Sequence, residues 1–383
     1  MRVIVLGATG TFGSQTVQVL AADERVTSVG VGCRDRARGA EVVATVGRKC
    51  VPVPGDLDSN SALPAALAAY DVVVNAAGPA YHYALRVAKA AIEAGKPCVD
   101  LCDDASASKA ALELAERAEG AGVTVILGLG CSPGVTNLVA GSGSKRLDLV
   151  DAVHVVHGGT TESSLGGVAN VTHLLDLIDG EISIVRDGAP TLVPGFSELE
   201  PYDFGAPLGV LRTGLIAHPE PSMFLRSFPG LREATVRLGL APEIANDLLA
   251  ASAAFGLTSD RPIRIGDSEI ARREFLARHL HGYLRERAAA SGSPESVTFA
   301  VHVIVEGVRE SRPRRLIYRL YGDVSPLVSN ALALGAIWLG EGRIHAPGVH
   351  TPEQCVDADV FLTELAARGT PGPQLDSESA SVV

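Results

Sequence analysis

One short run limits what this chain can fold into more than any other feature. Gly7-Ala8-Thr9-Gly10-Thr11-Phe12-Gly13 follows the apolar run Val3-Ile4-Val5-Leu6 at once and opens a helix, with glycines at its first, fourth and seventh positions. A backbone that turns this tightly and lacks side chains at those points can approach a diphosphate closely, and the amides of the new helix then face the anion. Strand-to-helix turns also use glycine for conformational reasons alone, so the surroundings decide. Here five further strand–helix units follow, which makes Gly7, Thr9, Gly10, Thr11, Phe12 and Gly13 a dinucleotide-binding loop.

Apolar runs bounded by turn residues place strands near 2–6, 26–33, 49–53, 71–75, 98–101 and 123–128, each too apolar to be half-exposed. Helices are expected near 12–21, 36–46, 60–69, 81–94 and 106–120, the rhythm of βαβ units in a parallel sheet. After Gly130 the pattern changes. A hairpin is expected around Arg186-Asp187-Gly188, helices near 242–255 and 269–288, and a strand pair at 297–308 and 314–321 in which Val297, Phe299, Val301, Val303 and Val305 share one face. The fold class is therefore α/β: a Rossmann dinucleotide-binding domain at 1–130, with the apolar segment 326–372 packing back onto it, and a second α/β domain at 131–325. The latter is expected to hold an open, mostly antiparallel sheet and the substrate. Residues 373–383 read as a flexible, solvated tail.

The end of the second strand bears on which dinucleotide binds. A carboxylate there would accept from the ribose 2′-hydroxyl of NAD, but the chain reads Cys33-Arg34-Asp35-Arg36, placing Arg34 where a 2′-phosphate would sit. NADP is preferred on this reading and NAD remains possible, because Asp35 could still turn toward a ribose. Asp56 and Leu57, after the third strand, would flank the adenine. Ala76, Ala77, Gly78 and Pro79 end the fourth strand with small residues against which the nicotinamide-side ribose could lie.

Gly7-Ala8-Thr9-Gly10, Cys33-Arg34, Asn75-Ala76-Ala77-Gly78-Pro79, Tyr81, Val99-Asp100-Leu101, Gly130-Cys131-Ser132-Pro133-Gly134-Val135-Thr136-Asn137, His218-Pro219-Glu220 and Gly348-Val349-His350-Thr351-Pro352-Glu353 occur in that order. In this the chain resembles the saccharopine dehydrogenase-like superfamily, and lysine 6-dehydrogenases in size and layout. The resemblance is strong over the first 145 residues, thin from 150 to 325, and recovers toward the C-terminus. It implies a Rossmann domain, a substrate domain with an open sheet and a return to the first domain. It also implies hydride transfer between NAD(P) and a C–N bond of an amino acid or a derived imine, and a homodimer formed through the second domain's sheet.

Such chemistry needs a group that moves the amine proton. Loops at the carboxyl ends of the strands carry His82, Asp100, Asp103, Asp104 and Cys131. In the saccharopine-forming branch of the family an Asp and a Cys lie close together at the reacting centre. The resemblance carries these roles to Asp103 or Asp104 and to Cys131, although an N-cap pair and a packed thiol explain the same residues. Tyr81, His82, Asn137 and His218 are the candidate substrate contacts.

Composition narrows the alternatives. A net charge of −11 repels nucleic acid and anionic lipid, and the six cysteines form no CxxC pair, so reduced thiols in the cytoplasm are expected. No metal-type spacing, membrane span or leader is read. No tyrosine has a lysine four residues on, which counts against a short-chain reductase, and none of the five lysines lies beyond Lys145. Two rivals stay open: an NADPH-dependent enoyl (C=C) reductase of the same superfamily, and a non-catalytic NADP-binding sensor.

Overall fold

The computed structural model describes residues 1–54, 57–58, 63–161, 167–291, 299–370 and 372–379. Two compact units divide the chain, one of Met1–Ser142 with Val324–Gly372, the other of Gly143–Asp323 with Pro373–Val383.

The first unit begins with six parallel strands, β1 (Arg2–Leu6), β2 (Ser28–Cys33), β3 (Cys50–Pro54), β4 (Val72–Asn75), β5 (Cys98–Asp100) and β6 (Thr124–Ile126). Valine and isoleucine fill β1, β4 and β6, where the branched side chains suit a pleated surface covered on both faces. β3 departs from the expected full burial. It is the edge strand, Val51 is 48% exposed, and Pro52 and Pro54 cannot donate to a further neighbour.

In the second unit β7 (Leu149–Thr160), β8 (Glu181–Arg186), β9 (Ala189–Pro194), β10 (Glu200–Asp203), β11 (Val210–Leu215), β12 (Glu233–Ala241), β15 (Phe299–Arg309) and β16 (Arg312–Gly322) build one mixed sheet. β13 (Pro262–Ile265) and β14 (Ser268–Ala271) pair apart from it. Only β7 and β12 run parallel; the other pairings are antiparallel, as the sequence suggests. Both expected hairpins are present. Asp187 and Gly188 turn the first and Glu310 and Ser311 the second, all with positive φ, the conformation that matches strand twist in two-residue loops.

The chain re-enters the first unit through the helix Val324–Gly340, whose residues from Leu327 to Leu339 are buried almost without exception except at Asn330 and which packs against the helix Thr11–Ala22. It then adds β17 (Gly348–His350), parallel to β6. The resulting order, β17-β6-β5-β4-β1-β2-β3, reverses between β1 and β4, the switch point at which open parallel sheets bind ligands.

Two boundaries differ from expectation. The helix Val135–Ser144 belongs to the first unit through Ser142, because Leu138, Val139 and Ala140 are fully buried there, Asn137 bonds Glu353 and Ser142 bonds Asp359. The tail expected at 373–383 is a strand over its first part, β18 (Gln374–Ser379), antiparallel to β16. Two of its acidic residues meet basic ones of the same unit, Asp376 2.9 Å from Arg319 of β16 and Glu378 2.8 Å from Arg146, which precedes β7. β18 therefore occupies the β16 edge that the sequence leaves open.

Candidate functional site

The loop after β1 has the build of an anion cradle, and its three glycines act differently. Gly7 has φ +75°, and a side chain there would stand 2.5 Å from the carbonyl oxygen of Ala76. A Cβ on Gly13 would run into the Gly7 carbonyl, so this glycine lets the helix Thr11–Ala22 close onto the loop. Gly10 is exposed and a Cβ on it would approach nothing nearer than 3.4 Å. The opening at Gly10 faces solvent instead of protein. Gly10 is also the N-cap, with no side-chain cap and no acidic residue in the first turn, so the helix start keeps its donors and its positive end for an incoming anion. The Gly10 amide donates to the Gly7 carbonyl, and the features fit a dinucleotide diphosphate held by backbone amides from Thr11 to Gly13.

At the end of β2, Asp35 caps the helix Arg36–Val46, its carboxylate accepting from the amides of Ala37 (2.9 Å) and Arg38 (3.2 Å). One oxygen of that carboxylate, Oδ1, is thereby engaged by the helix start. Arg34 instead leaves 77% of its side chain in solvent. Arg38, which the sequence reading passed over, reaches back to donate to the Thr9 carbonyl at 3.0 Å, bringing a second guanidinium to the loop. Its signal in the sequence is the Arg-x-Arg-x-Arg spacing at 34–38.

Asp56 lies outside the described residues. Leu57 is buried and its carbonyl accepts from Arg86 at 2.5 Å. Past β4, the Ala76 amide bonds the Leu6 carbonyl and the Ala77 amide bonds the Asn75 side chain, holding the small-residue strand end against β1. Gly78 and Pro79 are exposed, and Pro79 precedes the helix Ala80–Glu93, whose first turn carries Tyr81 (62% exposed) and His82. His82 lies 3.3 Å from Asp58.

Asp100, at the end of β5, is the buried carboxyl of this region. Its Oδ1 accepts from the amides of Cys102 (3.0 Å) and Gly128 (2.8 Å), which ties the loop after β5 to the loop after β6. Burial raises its pKa, against the pull of those two amides and with help from the neighbouring Asp103 charge, to about 6. Asp104 caps the helix Ala105–Leu112 through the Ala107 amide at 2.7 Å, whereas Asp103, half-buried, belongs to no such cap. Cys131 is buried after β6, beside a turn in which Gly130 and Gly134 bridge. Asn137 is fully buried, accepting from the Gly134 amide and donating to Glu353, both at 2.9 Å. Both bonds bind this turn and the segment after β17 into one piece.

His218 belongs to the second unit. Its Nδ1 meets the carboxylate of fully buried Glu220 in a very short contact, and its ring lies edge-on to His157, 5.8 Å between centroids. Burial, then the proximity of His218, lowers the His157 pKa to about 3. Glu220 was visible in the sequence only as the third residue of His-Pro-Glu, where Pro219 is the N-cap of the helix Glu220–Ser227.

Residues 3–126 match the family of the saccharopine dehydrogenase NADP binding domain. The first domain is saccharopine dehydrogenase-like. The match covers the phosphate loop and the motifs that end β2, β4 and β5, and the motifs at 130–137, 218–220 and 348–353 lie beyond it. The fold of the whole chain is also that of the apo saccharopine dehydrogenase (L-Glu forming) from Saccharomyces cerevisiae, at a TM-score of 0.70 and 18% identity, covering 100% of both chains. The DAP dehydrogenase of C. glutamicum in complex with DAP is a far more distant likeness, with a TM-score of 0.47 and 14% identity over 96% of this chain and 98% of that one. Among the described residues no helix is long and apolar enough to cross a membrane, and no group of three or more His, Cys, Asp or Glu could hold a metal ion.

Proposed function

We propose that the protein is an NADP-preferring oxidoreductase that transfers a hydride between nicotinamide and the C–N bond of an amino acid or an imine derived from one. The observation that carries the cofactor choice is the division of labour at the end of β2: Asp35 is committed to a helix cap while Arg34 and Arg38 present guanidinium groups beside the loop. A 2′-phosphate suits such a pair, and the Asp35 carboxylate is already engaged by two backbone amides.

Bound NADP supplies hydride exchange at its nicotinamide. The chain's own part is to grip the diphosphate with the Thr11–Gly13 amides, to keep the ends of β4 to β6 in register, and to move the amine proton. Asp103 is our choice for that proton, since Asp104 is engaged as a cap and Asp103 lies close enough to raise the Asp100 pKa. Two carboxyls of unequal burial side by side are the arrangement by which sites separate an acid from a base. Cys131 remains a candidate for the reacting centre and His218 for substrate contact.

Arg34→Asp tests the cofactor reading. Titration of protein fluorescence with NADPH and NADH should show a loss of at least about tenfold in NADPH affinity and little change for NADH. Equal losses would mean that Arg34 is a surface residue with no cofactor role.

A further inference from the structure

Asp58 stands where an anion-binding site should hold no carboxylate. Its Oδ2 is 3.8 Å from Nη1 of Arg34, and the same carboxylate receives Tyr83 OH, His82 Nε2 and Arg86 Nη1, each at 3.3 Å. Arg86 in turn donates to the carbonyl of Leu57. Three side chains of the helix Ala80–Glu93 thus hold Asp58, and Arg34, 77% exposed, pairs with the same carboxylate.

We infer that Asp58 is a specificity-setting counter-ion that competes with the 2′-phosphate of NADP for Arg34. The inference rests on the cofactor reading above. A 2′-phosphate carries close to two negative charges at neutral pH, and a guanidinium already paired must be drawn off its carboxylate to meet it. NADH carries only a neutral hydroxyl there, so its affinity depends little on the Arg34 charge. Arg86, Tyr83 and His82 make the exchange tolerable, because Asp58 keeps three partners after Arg34 leaves. Arg38 donates to the Thr9 carbonyl and is a standing part of the positive charge beside the loop, whereas the competition is for Arg34. The result is a site that accepts NADP yet gives up part of the discrimination that an unopposed arginine would provide.

The pair is exposed, so removing the competition should have a modest effect. Asp58→Asn is expected to tighten NADPH binding about two- to fivefold and to leave NADH binding unchanged. In an Arg34→Gln background the same substitution should have little effect on NADPH, because the competition has lost its object. The measurement is fluorescence titration of the full chain with each reduced dinucleotide at low and at moderate salt, the gain shrinking as salt screens the pair. An unchanged NADPH-to-NADH affinity ratio in Asp58→Asn would overturn the inference alone. So would a gain of equal size in the Arg34→Gln background. Failure of the unaltered protein to bind either dinucleotide would instead overturn the cofactor reading, and this inference with it.

Discussion

Replacing Asp100 by Asn should make the protein more stable at neutral pH and progressively less so as the pH falls. Asp100 is 2% exposed and its pKa is raised from 3.8 to about 6. Between those values the native state holds a proton that the unfolded chain has released, so stability falls as the pH rises through this window and is level above it. A rise of roughly two units corresponds to about 3 kcal/mol withheld from the native state at neutral pH. Asparagine is neutral throughout, and its Oδ1 can still accept from the amides of Cys102 and Gly128. Its added NH2 group carries a desolvation cost of about 1–3 kcal/mol, which does not vary with pH. The diagnostic is therefore the change in the difference between variant and parent. Urea midpoints taken from about pH 4 to pH 8 should show that difference move by up to about 3 kcal/mol in favour of the variant. Parallel curves would refute the reasoning, because they would mean that Asp100 titrates alike in the folded and unfolded states.

Three further outcomes follow from the first unit. Gly7→Ala should destabilise by at least about 2 kcal/mol, whereas Gly10→Ala should stay within about 0.5 kcal/mol of the parent in thermal unfolding yet weaken NADPH binding, since only Gly10 faces open space. Asp23 accepts from Arg25 and Arg368, and the Arg25 side chain, outweighing burial, holds its carboxyl well below the usual range. That stability is present above the ordinary value of 3.8 and lost as the pH drops, so Asp23→Asn should cost about 2 kcal/mol at neutral pH and progressively less in acid unfolding curves. Asp103→Asn should abolish turnover with NADPH binding intact, while Asp104→Asn, which still caps its helix, should retain turnover; the reverse pattern in steady-state assays would exchange the two assignments.

The sequence carried the sheet well because its signals are local. Val3-Ile4-Val5-Leu6 before glycine, Val72-Val73-Val74 before Asn75 and the alternating valines of 299–305 each define a strand without reference to anything distant. What it did not carry depends on partners far along the chain. β17 is three residues long and exists because β6 offers it an edge. β18 forms because Asp376 and Glu378 meet Arg319 and Arg146, and no window of its own sequence reveals them. The same holds at the site. Gly7, Gly13 and Arg34 could be read from spacing, but the roles of Asp35 and Asp104 as caps, of Asp100 as the clasp between two loops, and of Asn137 as a brace for the Gly134 turn depend on where backbone amides fall in space. Arg38 and Asp58 were missed for that reason: each acquires meaning only from the group it faces.

The most direct test of the central claim is the absorbance of reduced nicotinamide over time. Purified protein would be given NADP or NAD with pooled L-amino acids and diamines at mildly alkaline pH, then NADPH with keto acids and amines in the reverse run. The account predicts a change in one direction or both, faster with NADP than with NAD and absent in Asp103→Asn. No change in either direction, with NADPH binding confirmed in the same sample, would contradict it.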